Sequence, residues 1–408
     1  MRSITVKEAN RQQFPALKNK SYFNYGGQGP MPESALTALF QSYQSIQEKG
    51  PFSGEVLLWI SEELAATRQA IASELGVMAD TITLTENVSI GCNIPLWGLD
   101  WQPGDRILIG DCEHPGIVAA VNELARRFDL QVSICPLMET LNEGNPTLAI
   151  ASHLHPNTRL VVLSHILWNT GQVLPLTDIV KVCHEFNKKS TPYPKIRVLV
   201  DAAQSVGILP LNLTKTGVDY YAFTGHKWWC GPEGLGGLYV SPDAAETLHP
   251  TFIGWRSVAL NSIGDWEGFK PDGRRFEMAT SAYPLLAGLR KAIAFHQGMG
   301  TPEERYDRIQ ALSHQLWTKL RDLPDIICLK VTPPEAGLVS FQINENPRKS
   351  GATHDKLVKF LEKEHRVMVR TILKPDCVRA CVHYFTLESE IEQLIQGIQD
   401  YFQQISSH

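Results

Sequence analysis

Six short runs rich in valine, isoleucine and leucine recur between residues 81 and 225, and stretches of helix length separate several of them. They are "TITLT" (81–85), "RILIGD" (106–111), "QVSICPL" (131–137), "RLVVLSHI" (159–166), "IRVLVD" (196–201) and "DYYAFTG" (219–225). Helix candidates lie at 61–76, 115–129 and 176–188. Short apolar runs bounded by turn residues are predicted strands, and "GLYV" (237–240) adds another. Strands that alternate with helices fold as an α/β architecture, a mainly parallel sheet with helices on both faces.

After residue 281 the texture changes. "YPLLAGLRKAIAFHQGMG" predicts a helix stopped by glycines, and 301–323 predicts another. Strands are expected at "GLVSFQI" (337–343), "VMVRTI" (367–372) and "RACVHYF" (379–385), with helices at 353–364 and 388–402. The expected organisation is a large domain over 21–281 and a smaller α+β domain over 282–408, joined by residues 1–20.

The chain has 408 residues, a formal net charge of −5 and 43% hydrophobic residues. A mildly acidic balance gives no reason to expect nucleic acid or anionic lipid as a partner. No apolar run approaches the ~20 residues needed to cross a bilayer, so no membrane partner is expected. The N-terminus lacks the apolar core of a signal peptide. Eight scattered cysteines without a C-x-x-C pair argue against a disulfide framework or a zinc site, and for a reducing cytoplasm.

In an open α/β sheet, ligands bind beyond the carboxyl ends of the strands. "TITLT" is followed by "ENVSIGCN", a helix start whose amides near Val88 and whose Ser89 hydroxyl can hold a phosphate. "RILIGD" leads to His114, "RLVVLSHI" to Asn169, and "IRVLV" to Asp201 with Gln204 three positions on. "DYYAF" leads to Thr224, His226 and Lys227 in "TGHKWWCGPEGLGGLYV". Singly, each has an ordinary reading: a surface histidine, a helix-capping aspartate or hydroxyl, a turn asparagine. Together, a phosphate cradle, a ring, an amide, a carboxylate and an amine suit pyridoxal 5′-phosphate, which takes a lysine and an acidic partner for its ring nitrogen. The glycines of "GPEGLGG" fit neither nucleotide-loop spacing and lead into a strand, so they serve the turn behind the lysine.

"DAAQS", followed by "TGHKWWCGPEGLGGLYV", resembles the class V aminotransferase group, which includes cysteine desulfurases and related C–S lyases of fold-type I. "ENVSIGCN", "CEHPG", "WNTG", "RRFEMAT" and "RACVHYF" also match, so the resemblance spans roughly residues 20 to 395. Within the group the chain is most similar to the L-cysteine/L-cystine C–S lyases. The resemblance implies that Lys227 joins the cofactor covalently, Asp201 meets the pyridine nitrogen, Gln204 bonds the ring oxygen and His114 stacks on the ring. It assigns the phosphate to Ser89, Thr224, His226 and amides near Val88, with Thr280 reaching across a homodimer interface. Asn169, Arg370 and Arg379 are then the substrate residues, and the planar fork of an arginine suits a carboxylate.

One departure separates subfamilies. Desulfurases of the group carry a nucleophilic cysteine on a loop between the two arginine-bearing segments. Here that interval is "TILKPDCV", with Pro375 where one major type has its cysteine and Cys377 close by. If "CVRAC" is a strand, Cys377 and Arg379 share a face. The expected reaction is β-elimination of sulfur from cysteine or cystine, giving pyruvate, ammonia and sulfide or persulfide, with a sulfur or iron–sulfur acceptor as possible partner. The rivals are a persulfide-forming desulfurase yielding alanine, another class V reaction such as transamination, and an inert scaffold, which would need neither Lys227 nor Asp201.

Overall fold

The computed structural model describes residues 10–186, 194–344 and 353–406. After a short strand β1 (Ser21–Tyr22), the large sheet is built from β2 (Ile82–Thr85), β3 (Arg106–Gly110), β4 (Gln131–Cys135), β5 (Thr158–Ser164), β6 (Arg197–Asp201), β7 (Tyr220–Thr224) and β8 (Gly236–Val240). Their order is β2-β8-β7-β6-β5-β3-β4. Strands β3 to β7 run parallel, and β8 lies antiparallel between β2 and β7.

The period of two decides which face each side chain enters. Val198, Val200, Tyr221 and Phe223 join a core with helix Gly54–Leu75, whereas Leu199, Tyr220 and Ala222 join one with helix Val88–Gly98. All five residues of β6, β7 and β8 are buried, as strands covered on both faces must be. The expected mainly parallel sheet is present. The expected helix at 61–76 is the end of a longer one, started by Ser53, whose side chain accepts from Val56 N, and stopped by left-handed Gly76. Helix Leu176–Phe186 matches the expectation at 176–188 up to residue 186, and 187–188 lie outside the described residues.

A hairpin of β9 (Val258–Leu260) and β10 (Trp266–Phe269) follows. A second sheet has the order β11-β12-β15-β14, from β11 (Ile326–Cys328), β12 (Leu338–Ile343), β14 (Arg370–Leu373) and β15 (Asp376–Cys381). The run expected as one strand at 367–372 is split, because β13 (Val367–Met368) leaves to pair in parallel with β1. The strand expected at 379–385 begins earlier and stops at Cys381, after which Tyr384 and Phe385 enter the core around Trp228.

Helix Pro284–Gln297 packs Leu286, Leu289 and Ile293 into the core of the large sheet. Residues 10–20 lie against the C-terminal part: Arg11 pairs with Glu390 at 2.6 Å, and Phe14 stacks on Phe385 at 4.3 Å. Residues 1–9 are outside the described residues.

Candidate active site

Four parallel strands end along one edge, and each delivers a candidate group. Beyond β6, the Asp201 carboxylate accepts from Ala203 N at 2.9 Å and is buried. Beyond β7, Lys227 is half-buried, and burial pulls its amine down to about 8 against the opposing charge of Asp201, with Arg379 and Arg370 adding to the fall. Burial raises the Asp201 carboxyl, while Lys227 and His114 hold it down. A lysine and an aspartate at adjacent strand ends are thus electrostatically coupled and partly dry.

Beyond β3, His114 caps helix Pro115–Phe128, its Nδ1 accepting from Gly116 N at 3.2 Å. Its ring meets Trp168 edge-on with centroids 5.6 Å apart. Burial lowers its pKa, so the imidazole is neutral near pH 7. Beyond β5, Asn169 donates to the Lys374 carbonyl at 3.0 Å.

Val88 and Ser89 open helix Val88–Gly98, whose N-cap Asn87 accepts from Ile90 N at 3.0 Å. Thr224 is paired in register with Gly236, and a Cβ on Gly236 would lie 2.9 Å from Asn87 Cα. Only glycine lets the helix start approach the end of β7 that closely. Thr224 Oγ1 and His226 Nδ1 lie 2.7 Å apart, and Ser89 is exposed. Groups of this kind at a helix N-terminus can donate to an anion.

Arg379 comes from β15, where alternation puts Cys377, Arg379 and Cys381 on one face, as expected. It is 1% exposed, and its Nη1 donates to the Trp168 carbonyl at 2.6 Å. Arg370 is its register partner on β14 but is exposed. Residues 24–29 wedge between these parts. Gln204 donates to the Gly26 carbonyl and accepts from Trp228 Nε1, both at 2.9 Å. Cys381 N donates to the Phe23 carbonyl at 2.7 Å, and Gly29 N to the His226 carbonyl at 2.8 Å.

Several buried polar atoms here have no partner in the protein: Asn24 Oδ1, Asn169 Oδ1, Trp168 Nε1, and Arg379 Nε and Nη2. Orphans at this density call for a polar ligand. An amine, a carboxylate, an anion cradle and unspent donors fit a phosphorylated pyridine carrying an amino acid. Thr280 is the exception. It is exposed, and among the described residues no hydrogen bond joins it to this cluster. Its segment is instead held by Glu277, which accepts from Arg68 at 2.6 Å and also pairs with Arg256.

Cys377 does not lie on a loop. Leu373 and Asp376 are paired, so only Lys374 and Pro375 turn the chain from β14 into β15. Cys377 is fully buried, and burial pushes its thiol up to about 12.

A family model described as aminotransferase class-V matches residues 22–394. The chain belongs to the class V aminotransferase family. Among curated members of that family, a probable cysteine desulfurase of Methanothermobacter thermautotrophicus is 26% identical over 96% of both chains. Isopenicillin N epimerase of Streptomyces clavuligerus is 27% identical, over 92% of this chain and 93% of its own. Among solved structures, the cystine C-S lyase C-DES in complex with its reaction product cysteine persulfide is 50% identical. It superposes with a TM-score of 0.91 over 95% of this chain and 99% of its own. Another C-DES structure, a lysine-to-alanine mutant, carries glycine covalently linked to its PLP cofactor and matches equally well. The fold-type I expectation for this class V chain stands.

The sequence suggests "NYGGQG" (24–29) as a pocket-lining segment, and a Cβ at Gly26 would lie 2.8 Å from Arg379 Nη2. Sequence reasoning missed two parts of the site. One is Glu113, next to His114 in "CEHPG". The other is a buried group of Cys230, His296 and His383 whose ligand atoms lie within 4.8 Å. His296 Nε2 meets the Trp229 carbonyl at 2.8 Å and its Nδ1 the Tyr384 hydroxyl at 2.8 Å. His383 Nε2 meets the Trp228 carbonyl at 3.0 Å, while its Nδ1 accepts from Tyr384 N. With all four ring nitrogens engaged, the pair clamps the backbone that follows Lys227.

Proposed function

We propose that this chain is a PLP-dependent carbon–sulfur lyase that removes sulfur from L-cystine or L-cysteine by β-elimination. With water, the products are pyruvate, ammonia and cysteine persulfide from cystine, or sulfide from cysteine. Bound PLP supplies an electron sink for the bond broken at Cα. Lys227 would hold the cofactor and would serve as the base that takes the Cα proton on Nζ. Its lowered pKa leaves a useful fraction of free base at neutral pH. Asp201 keeps the proton on the ring nitrogen, and Gln204, fixed by Trp228 and Gly26, has one amide hydrogen left for the ring oxygen. His114 would stack on the ring. Val88, Ser89, Thr224 and His226 hold the phosphate. Arg379 offers Nε and Nη2 to the substrate carboxylate, with Asn169 and Arg370 beside it.

The two-residue turn at Lys374–Pro375 carries the choice of reaction. A persulfide-forming cysteine must reach the substrate sulfur as a thiolate from a mobile loop. Cys377 has neither the freedom nor the acidity, so sulfur departs with the leaving group. Product analysis with cystine and cysteine separately tests this: pyruvate and ammonia support the lyase, whereas alanine with a protein-bound persulfide would overturn it.

The same reading makes the enzyme a homodimer. Phe252, Ile253, Trp255, Leu260 and Trp266 are each more than half exposed on and before the β9–β10 hairpin, an apolar face that a second copy would cover. Thr280 would then complete the partner's phosphate site. The organisation is a large cofactor domain from about residue 21, with helix Pro284–Gln297 leading into the smaller C-terminal domain. All eight cysteines are free thiols, in keeping with a cytoplasmic enzyme that passes its sulfur to a sulfur or iron–sulfur acceptor.

A further inference from the structure

Glu113 is 5% exposed, whereas His114, next in the chain, faces outward. Its Oε2 accepts from Ser164 Oγ at 2.7 Å, and its Oε1 is buried without any partner. Ser164 ends β5 directly beside Asp201 of β6, the two being register partners. A Cβ at Gly110 would lie 2.7 Å from Oε1, so that glycine leaves room for the carboxyl.

The groups facing Glu113 come from several elements. Asp111 lies in its own turn, Asp201 on β6, Ser164 on β5, and the Cys92 thiol on helix Val88–Gly98. Both charged neighbours are anions, His114 is neutral, and Glu113 makes no ion pair among the described residues. Even with a Ser164 backbone bond beside that hydroxyl, a buried carboxylate with an unpaired oxygen costs more than the neutral acid. Burial first, then Asp201, push its pKa up to about 8, and Ser164 opposes them. Asp201 has what Glu113 lacks, the nearby positive charge of Lys227. Two carboxyls this close divide one proton unequally.

We propose that Glu113 is a positioning residue of the cofactor site that works as a neutral carboxylic acid, holding Ser164 at the strand end and leaving Asp201 the sole anion beneath the ring. A second anion there would compete for the ring proton that Asp201 holds. That consequence rests on the role proposed for Asp201; the proton on Glu113 does not.

Infrared difference spectroscopy on the purified holoenzyme tests the assignment. Wild type minus Glu113→Gln at about pH 6 is expected to contain the C=O band of a protonated carboxylic acid, downshifted in D2O. Because an acid ionises as pH rises, the band fades toward alkaline pH. Over the same range the visible cofactor band shifts in wild type and stays put in Glu113→Gln. Carboxylate bands in place of the acid band overturn the proposal. If Glu113→Gln does not fold, Ser164→Ala reads the same proton. Losing the hydroxyl that favours the ionised form moves the fading to higher pH, and an unmoved or lower midpoint overturns the idea. A protein with the acid band but no pyruvate production would sink the lyase reading while upholding Glu113.

Discussion

Replacing Cys377 by serine separates elimination from persulfide transfer. At about pH 7.5 a thiol titrating near 12 is ionised in roughly one molecule in 30,000, against about one in ten for an ordinary thiol near 8.5. Cys377 is therefore some three thousand-fold poorer in thiolate than a free cysteine, before its burial is counted. The turn beside it offers no slack to improve this, because Leu373 and Asp376 are already paired. Serine keeps the volume and faces the Ser340 hydroxyl, so the substitution costs about 1–2 kcal/mol of stability at most. The assay compares pyruvate, alanine and bound sulfur, by alkylation and mass spectrometry, in wild type and Cys377→Ser at equal PLP occupancy. Expected are pyruvate from both, rates within about threefold, and no modified Cys377. Cystine should turn over at least as well as cysteine, since a persulfide is the less basic leaving group. A Cys377→Ser protein that binds PLP yet has lost more than about tenfold in rate would refute the argument, above all if wild type made alanine.

Lys227→Ala should lose the borohydride-reducible link to PLP, and a link re-formed at another lysine would contradict its role. Asp201→Ala should keep some cofactor and lose most turnover, so near-normal rates would remove it from the mechanism. Thr280→Ala should weaken PLP retention by roughly 1–3 kcal/mol, about 5- to 160-fold in Kd, in a protein that light scattering finds dimeric; a fully active monomer would refute the shared site. Acid should destabilise the His296–His383 clamp. Burial holds His296 down to about 3 and His383 well below its ordinary value, so between those values and about pH 6.5 the unfolded chain binds protons that the native chain refuses. Stability is therefore full above about pH 6.5 and falls with decreasing pH, by up to about 1.4 kcal/mol per unit for each ring. Urea midpoints from pH 6.5 down to about 4.5 should decline less steeply in His296→Gln, and identical slopes would count against the clamp.

The alternation of short apolar runs was enough to read the parallel sheet, because strands such as β6 and β7 are buried on both faces and carry the pattern in every residue. Lys227, Asp201 and His114 were legible for a related reason: each follows a strand, and strand ends share one edge. Helix Glu33–Lys49 escaped because of its residues only Ala35 is buried, leaving almost no apolar stripe to read. The course of residues 367–385 was misjudged since β1 captures Val367 and Met368, a partnership between chain segments far apart in sequence. Glu113 was overlooked because its significance lies in what surrounds it, namely Ser164 and an empty coordination at Oε1, and neither is a property of "CEHPG". The exposure of Trp255 and Trp266 has no sequence signature, since a tryptophan reads as core until its neighbours are known.

The wedge at residues 24–29 sets an order of events during biosynthesis. A Cβ at Gly29 would come within 2.0 Å of the Lys227 carbonyl, and the Phe23 carbonyl accepts from Cys381 N. The segment thus docks against a strand made roughly 350 residues later. At roughly 5–20 residues per second, it waits on the order of half a minute for its final partner. Until then a nascent chain can assemble the large sheet, but Gln204 lacks Gly26 as its acceptor, and Arg379 does not yet exist. Closure of the cofactor site therefore waits until the chain has passed Cys381, and chains truncated before that residue should emerge without a closed site to fill.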